Sequence, residues 1–254
     1  MRFAYLGSGS DGNGLVVEAG ATRVLLDCGF SLRDTVFRLG RLGLQPGDLH
    51  AVVVTHEHDD HIGGVARLAQ VHGLPVWITH GSLRPCAEAL AGTDLRLVEG
   101  YAAFAVGDLH LQPYPVPHDS GEPAQYVFSD GRRRLGVLTD AGHVTAHMRE
   151  VLDRCDALAL ECNHDLERLR ASAYPPAVQA RIAGRLGHLD NQAAAHLLSD
   201  LDRSRLQHVV AAHLSARNNT PALARAALAG VLGCEPDWVA VADQAEGLDW
   251  RQLS

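Results

Sequence analysis

The chain has no lysine: all 22 of its basic residues are arginine, set against 30 acidic residues for a formal charge of −8. That balance excludes a surface that coats nucleic acid indiscriminately, while leaving room for a local arginine groove. Arginine is also the side chain that grips phosphate with two hydrogen bonds. No apolar run approaches the roughly 18 residues of a membrane span. The start MRFAYLGSGS lacks the basic stretch and apolar core of an export signal, so a cytoplasmic, membrane-free setting is expected. The five cysteines (Cys28, Cys86, Cys155, Cys162, Cys234) are odd in number, scattered and never spaced C-x-x-C. They predict neither a disulfide framework nor a cysteine zinc knuckle, and read as reduced core residues. Low-complexity tracts, Pro/Ser linkers and internal repeats are missing, and 254 residues at 46% apolar composition fit one domain, residues 1–254. What the chain has in excess is histidine, with 15 residues.

The N-terminal third reads as a meander of strands FAYL, GLVVEA and RVLLD, separated by the turns GSGSDGNG and AGAT. SLRDTVFRLGRLGL places Leu32, Val36, Leu39 and Leu42 at helical intervals behind Ser31 as N-cap, and the apolar strand HAVVVT follows. A looser version of the pattern runs through a helix at 62–72, strand PVWIT, helix LRPCAEALA and strands LRLVE, LHLQPYPV, AQYVFSD and RRRLGVLTD. Then come helix 144–153, strand DALALE, short helices between 164 and 186, helix 190–201, strand HVVAAH, helix 221–231 and a last strand near WVAVA. Two β-rich halves with helices outside each predict an α/β fold, a four-layer αβ/βα sandwich with ligands on loops at one edge of the sheets.

The densest chemical signal is VVVTHEHDDHIGG, residues 52–64, where His56, His58, Asp60 and His61 form the frame H-x-H-x-D-H. A lone loop histidine is ordinarily a solvated side chain. Three of them with an aspartate, held between a buried strand and a glycine pair, point to metal binding. Only an irregular loop at a strand end directs such a spacing to different targets, and such a loop can divide its ligands between two adjacent ions.

With RVLLDCG (Asp27), PVPHDS (His118), GVLTDAG (Asp140) and AAHLS (His213), the motif resembles the metallo-β-lactamase superfamily over essentially the whole chain. The resemblance implies that His56, His58 and His118 hold one divalent metal, that Asp60, His61 and His213 hold the other, and that Asp140 bridges them. Asp27 would be structural, accepting hydrogen bonds from the ligand loop. Oxygen-reducing di-iron relatives carry a glutamate where His58 stands, which disfavours redox chemistry. Histidine-rich ligation suits zinc, and two aspartates accept manganese or iron as well.

The segments GHLDNQAAAHLL (187–198) and HVVAAHLSARNNTP (208–221) resemble the YycJ/WalJ-like branch, which pairs G-H-L-[ST]-N with A-H-L-S-x-x-N-N. GSGSDGNG is similar to that branch's S-G-S-S-G-N turn, and ECNHD (161–165) to its E-A-N-H-D; Asp11 and Asp190 replace hydroxyl residues. The resemblance implies a 5′-to-3′ exonuclease acting on DNA, more than on RNA, through a metal-bridging hydroxide that Asp60 helps to hold. A similarity to ribonuclease Z implies that His188 protonates the leaving oxygen while Glu161 orients it. His164 stands as a further ligand, a phosphate contact or the exposed start of helix HDLERLR. Ser10 and Asn13 of the glycine-rich turn, Arg217 and Asn218 beyond His213, and Tyr174 as a base-stacking ring are the candidate substrate contacts. The rival readings are a phosphodiesterase of a small substrate such as a cyclic nucleotide, a lactone or thioester hydrolase, and a metal-binding regulatory protein. Protein partners are not indicated.

Overall fold

Glycine-bearing turns divide the N-terminal residues into antiparallel strands in the computed structural model, which describes residues 1–254. Strands β1 (Arg2–Gly7), β2 (Gly14–Ala19) and β3 (Thr22–Leu26) form this meander. Parallel to β3 run β4 (Ala51–Val53), β5 (Val76–Thr79) and β6 (Leu95–Val98). Parallel strands need crossovers, and these carry α1 (Leu32–Arg41), α2 (Asp59–Ile62), α3 (Val65–His72) and α4 (His80–Cys86). The second half repeats the plan. An antiparallel set of β7 (Phe104–Val106), β8 (Leu109–Pro115), β9 (Ala124–Ser129) and β10 (Arg134–Leu138) comes first. Parallel strands β11 (Ala157–Glu161), β12 (His208–Ala212) and β13 (Ala240–Val241) follow, with helices α5 (Ala146–Leu152), α6 (Leu166–Ala171), α7 (Pro176–Ile182), α8 (Asn191–Asp200) and α9 (Pro221–Leu232) between them. A final strand, β14 (Leu248–Gln252), returns to pair antiparallel with β1. The two seven-stranded sheets therefore read β14-β1-β2-β3-β4-β5-β6 and β13-β12-β11-β10-β9-β8-β7.

Strand side chains alternate between faces, and here both faces are buried. From β2, Leu15 and Val17 point between the sheets, where they join Tyr126, Phe128, Leu135 and Val137 of the other sheet. Val16, Leu25 and Val52 point outward onto Leu39 and Leu68 of α1 and α3. Leu158 and Leu160 of β11 likewise meet Met148, Leu152, Leu197 and Leu228 of the second helical layer. Three apolar seams thus separate helix, sheet, sheet and helix. That double burial is why the strands read as continuous apolar runs.

The structure corrects several boundaries. In α1 the buried positions are Thr35 and Leu39, while Val36 is 43% exposed, so the inward face is narrower than the apolar spacing suggests. The helix expected at 62–72 divides at Gly63–Gly64: α2 ends at Ile62 and α3 begins at Val65, and Gly64 packs so closely on the Phe30 carbonyl that a Cβ would lie 1.9 Å from its oxygen. Helix α4 starts at His80, not at residue 83, where the Thr79 side chain accepts from the Ser82 amide. Strands β7 and β14 have no counterpart in the sequence reading. β14 is an edge strand without a fully buried residue, so its apolar pattern is weak.

One contact links the core to the loop after β4. The fully buried Tyr126 donates its hydroxyl to the Val54 carbonyl at 3.2 Å, immediately before the histidine-rich segment. Tyr126→Phe is expected to lower the unfolding free energy by about 1–3 kcal/mol, the scale of a lost hydrogen bond with a buried partner. Urea unfolding measures this, and a midpoint identical to that of the natural protein would show that the bond contributes nothing.

Candidate metal centre

The functional side chains gather where strands end, as in open α/β sheets generally. Asp27 follows β3, residues 56–61 follow β4, His118 follows β8, Asp140 follows β10, Glu161 ends β11 and His213 follows β12. Asp27, Asp140 and His213 adopt left-handed backbone conformations, with φ of 60°, 53° and 55°. Such non-glycine positions cost energy and persist where the surroundings fix them. The ligand loop itself is pressed close: a Cβ at Gly29 would sit 1.9 Å from the Asp60 carbonyl oxygen. Only glycine admits that approach.

Ring nitrogens converge in a first group. His58 Nδ1 lies 3.0 Å from His56 Nε2 and 3.3 Å from His118 Nε2. The far nitrogens show which atoms carry lone pairs. Thr55 donates its hydroxyl to Asp27 Oδ2 at 2.9 Å, so it accepts from His56 Nδ1 at 3.0 Å. His118 Nδ1 donates to the Gly187 carbonyl at 3.1 Å. Both Nε2 atoms therefore present lone pairs to each other's neighbourhood, an arrangement that a cation satisfies. Burial, and then the neighbouring His61, holds His56 well below the ordinary imidazole range, and burial also lowers His118.

In a second group, Asp60 Oδ2 lies 3.4 Å from His61 Nε2 and 3.4 Å from His213 Nε2. His61 Nδ1 donates to Asp27 Oδ2 at 2.7 Å and His213 Nδ1 to Glu161 Oε1 at 3.0 Å, which turns both Nε2 atoms inward. Asp140 lies between the groups, with Oδ2 3.1 Å from His61 Nε2 and Oδ1 3.9 Å from His118 Nε2. Its buried Oδ2 meets no polar group of the chain except the His61 ring nitrogen. A buried carboxylate oxygen facing only an inward-turned imidazole fits a pair of divalent cations. The ligand atoms of His56, His58 and His118, of His56, His61 and Asp140, and of Asp60, His61 and His213 each fall within 4.8 Å of one another.

Glu161 is fully buried, and its Oε2 accepts from the amides of Ala141 and Leu189 at 3.0 Å each. Its Oε1 faces His188 Nδ1 at 2.9 Å as well as His213. Burial opposes the Glu161 charge, but His188 and then His213 outweigh it and bring its pKa down to about 2. The adjacent Cys162 is also fully buried; burial, then Glu161, pushes its thiol far above the ordinary range, which removes it as a nucleophile.

Other sequence candidates fall elsewhere. His164 is buried rather than an exposed helix start, because α6 is capped by Asp165 and begins at Leu166. It belongs to none of the convergent ligand groups, and its Nε2 has no partner. Ser10 is exposed on the first turn, whereas Asn13 is buried, with Nδ2 3.3 Å from Asp60 Oδ2 and 3.1 Å from His61 Nε2. Arg217, Asn218 and Tyr174 share the wall of one cavity. Sequence reasoning missed the residues that hold the ligand segments. Ser8 accepts from the His213 amide at 2.9 Å, Asn163 Nδ2 donates to the His213 carbonyl at 3.1 Å, and the Asn191 and Asn219 amides pair at 3.0 and 2.8 Å. The asparagines lie inside ECNHD, GHLDN and SARNN, so their recurrence in those segments was the available signal.

In the metal-free chain, His61 and His213 favour the protonated form, unlike His56 and His118. Burial disfavours the charged form of His61 and His213, but Asp140 and the further carboxylates outweigh it, raising His61 well above the ordinary range and His213 to about 9. A raised folded-state pKa contributes stability that is complete below the unfolded value near 6.5 and is lost as pH rises through the folded value. The metal-free protein is therefore expected to melt at lower temperature as pH rises from about 7 to about 10. Zinc binding near pH 7 should release about two protons, measured by calorimetry in buffers of different ionisation enthalpy. A flat melting profile with no proton release would show that the imidazoles are already neutral.

Comparison with known proteins agrees with this geometry. Residues 22–213 match the beta-lactamase superfamily domain. The chain is 34% identical over 235 residues to exodeoxyribonuclease YycJ of Bacillus anthracis, covering 91% of this chain and 89% of that protein. It is 29% identical over 256 residues to exodeoxyribonuclease WalJ of Streptococcus pneumoniae serotype 2 (strain D39), covering 99% and 93%. Among solved structures, zinc-bound PqqB from Methylobacterium extorquens superposes with a TM-score of 0.75 at 18% identity, over 100% of both chains. No helix is long and apolar enough to cross a membrane. The chain belongs to the metallo-β-lactamase superfamily and is a metal-dependent hydrolase of that fold.

Proposed function

We propose that the protein is a phosphodiesterase using two divalent ions, and that it removes nucleotides from DNA in the 5′-to-3′ direction. The observation that carries this reading is the placement of His188 beside the convergent ligands. Its Nδ1 lies 2.9 Å from Glu161 Oε1 and 3.3 Å from Asp140 Oδ1. One ring nitrogen is thus committed to buried carboxylates, and Nε2 is left for a leaving oxygen. In the metal-free chain, burial opposes charge on His188, but Glu161 and then Asp140 outweigh it and push its pKa up to about 10. These carboxylates favour the protonated ring, the state that an acid for an alkoxide leaving group requires.

His56, His58 and His118 would hold one ion, Asp60, His61 and His213 the other, and Asp140 would reach both. When bound, a pair of such ions supplies the nucleophile at neutral pH and neutralises charge on the phosphoryl oxygens. The remaining work falls to the chain. Asp27 fixes the tautomer of His61, and Glu161 fixes those of His188 and His213. Asn13 holds the Asp60 carboxylate in place and positions Asp60 to accept a hydrogen bond at the reacting centre. Zinc suits the nitrogen-rich group, and the carboxylate-bearing group also accepts manganese or iron. DNA is favoured as substrate because relatives aligned over nearly the whole chain are exodeoxyribonucleases. The direction of digestion follows from the resemblance of the GHLDN and AHLSARNN segments to that branch.

Metal-loaded protein incubated with DNA labelled at either end, with RNA and with bis(p-nitrophenyl) phosphate tests the reading. Release of mononucleotides from the 5′ end of DNA is expected; cleavage of the small ester alone, under manganese and zinc alike, rejects it. His188→Ala should retain both metals while slowing DNA turnover by roughly 100-fold or more. Loss of metal from that variant would make His188 a ligand instead of the acid.

A further inference from the structure

A cavity of about 380 Å³ lies beside the turn that follows His213, walled by Arg168, Ala171, Ser172, Tyr174, Arg217 and Asn218. The turn is fastened to the metal-centre scaffold. Ser215 donates its amide to the Asn163 carbonyl at 2.8 Å, and Asp165 donates its amide to the Asn218 carbonyl at 2.9 Å. Asn163 also holds the His213 carbonyl, so the same residue ties both the cavity wall and the end of β12.

Exposed arginines are commonly just solvated, and Arg168 and Arg217 share the lack of an ion pair with ten other arginines. What sets these two apart is their place together in one cavity wall beside Tyr174. The Arg217 guanidinium lies 5.6 Å from the Tyr174 ring centroid, its one specific contact. Asn218 adds an independent observation: it is 1% exposed, and its Oδ1 accepts no hydrogen bond. Two free guanidinium groups, an aromatic face and an unused buried acceptor call for a ligand that is anionic, flat and equipped with an N–H donor. A nucleotide has all three properties, and the volume falls in the range of small-ligand sites.

We propose that this cavity is a nucleotide subsite for the single strand adjoining the scissile phosphate. Arg168 and Arg217 grip a backbone phosphate, Tyr174 stacks on the base, and Asn218 Oδ1 accepts a base N–H. The subsite rests on the nuclease reading and adds to it a single-stranded substrate and the residues that track it. Arginine pairing and ring stacking are common to DNA and RNA, so both are probed.

The test uses metal-loaded protein and fluorescein-labelled single strands of about 12 nucleotides, DNA and RNA in separate arms, with phosphorothioate linkages that resist cleavage. Fluorescence anisotropy is recorded across a salt series. Tyr174→Ala should weaken binding at least about fivefold, and the loss should vanish on a strand whose nucleotides lack bases. The double variant Arg168→Ala/Arg217→Ala should flatten the dependence of log Kd on log salt by roughly 0.7 for each phosphate contact removed. Both sites are on the surface, and matched thermal melting confirms that the variants fold. Wild-type affinity and salt slope in the double variant overturn the subsite while leaving the nuclease reading intact. Failure of the unaltered protein to bind either strand overturns both.

Discussion

Glu161 bears more of the site than any other side chain. A carboxylate with no solvent exposure is costly unless every lone pair is used. Here four donors from three segments use them: the amides of Ala141 and Leu189, and the imidazoles of His188 and His213. Ala141 follows Asp140, Leu189 precedes α8, and His213 follows β12. The charge that must be neutralised thus fixes how the loops after two strands and the approach to a helix meet. If one donor were removed, the charge would remain buried and the other three donors would lose their common reference.

Asp27 does the corresponding work for the first sheet. It accepts from the Thr55 amide and hydroxyl and from His61, and through Thr55 it also sets the tautomer of His56. Each sheet therefore contributes one buried carboxylate that turns two imidazoles: Asp27 acts on His61 and His56, Glu161 on His213 and His188. Asp140 stands between these halves with one oxygen toward His61 and the other toward His188 and His213. The centre belongs to neither sheet, so its geometry depends on how tightly Tyr126, Phe128 and their neighbours hold the sheets together.

What was legible in the sequence follows from this division. The four-layer order could be read because strands buried on both faces are nearly uninterrupted apolar runs. The convergence of His56, His58, Asp60 and His61 could be expected because side chains of these types packed that densely have few uses besides metal binding, and the structure brings them into groups that could hold an ion. The supporting residues were not legible, since Ser8, Asn163, Asn191 and Asn219 act through partners as much as 205 residues away, and a hydrogen bond between distant amides leaves no local period. His164 shows the same limit from the other side. Its sequence setting left a ligand, a phosphate contact and an exposed helix start open, and a bridge between its backbone and that of Asp190 buries it outside the convergent groups. Strand β14 escaped notice because pairing with β1 supplies its order, with little contribution from its own apolar pattern.

The left-handed positions connect stability to chemistry. Asp27, Asp140 and His213 each leave a strand by a conformation that a side chain disfavours, though Asp and His tolerate it better than branched residues do. At roughly 1–3 kcal/mol apiece, three such turns take a sizeable share of the 5–15 kcal/mol that holds a typical domain together. The hydrogen bonds from Thr55 to Asp27, from the Ala141 amide to Glu161 and from the His213 amide to Ser8 lie at these three turns and hold them there. The same contacts that keep the strained backbone in place also aim the ligand atoms, so a substitution among them should disturb folding and metal affinity together.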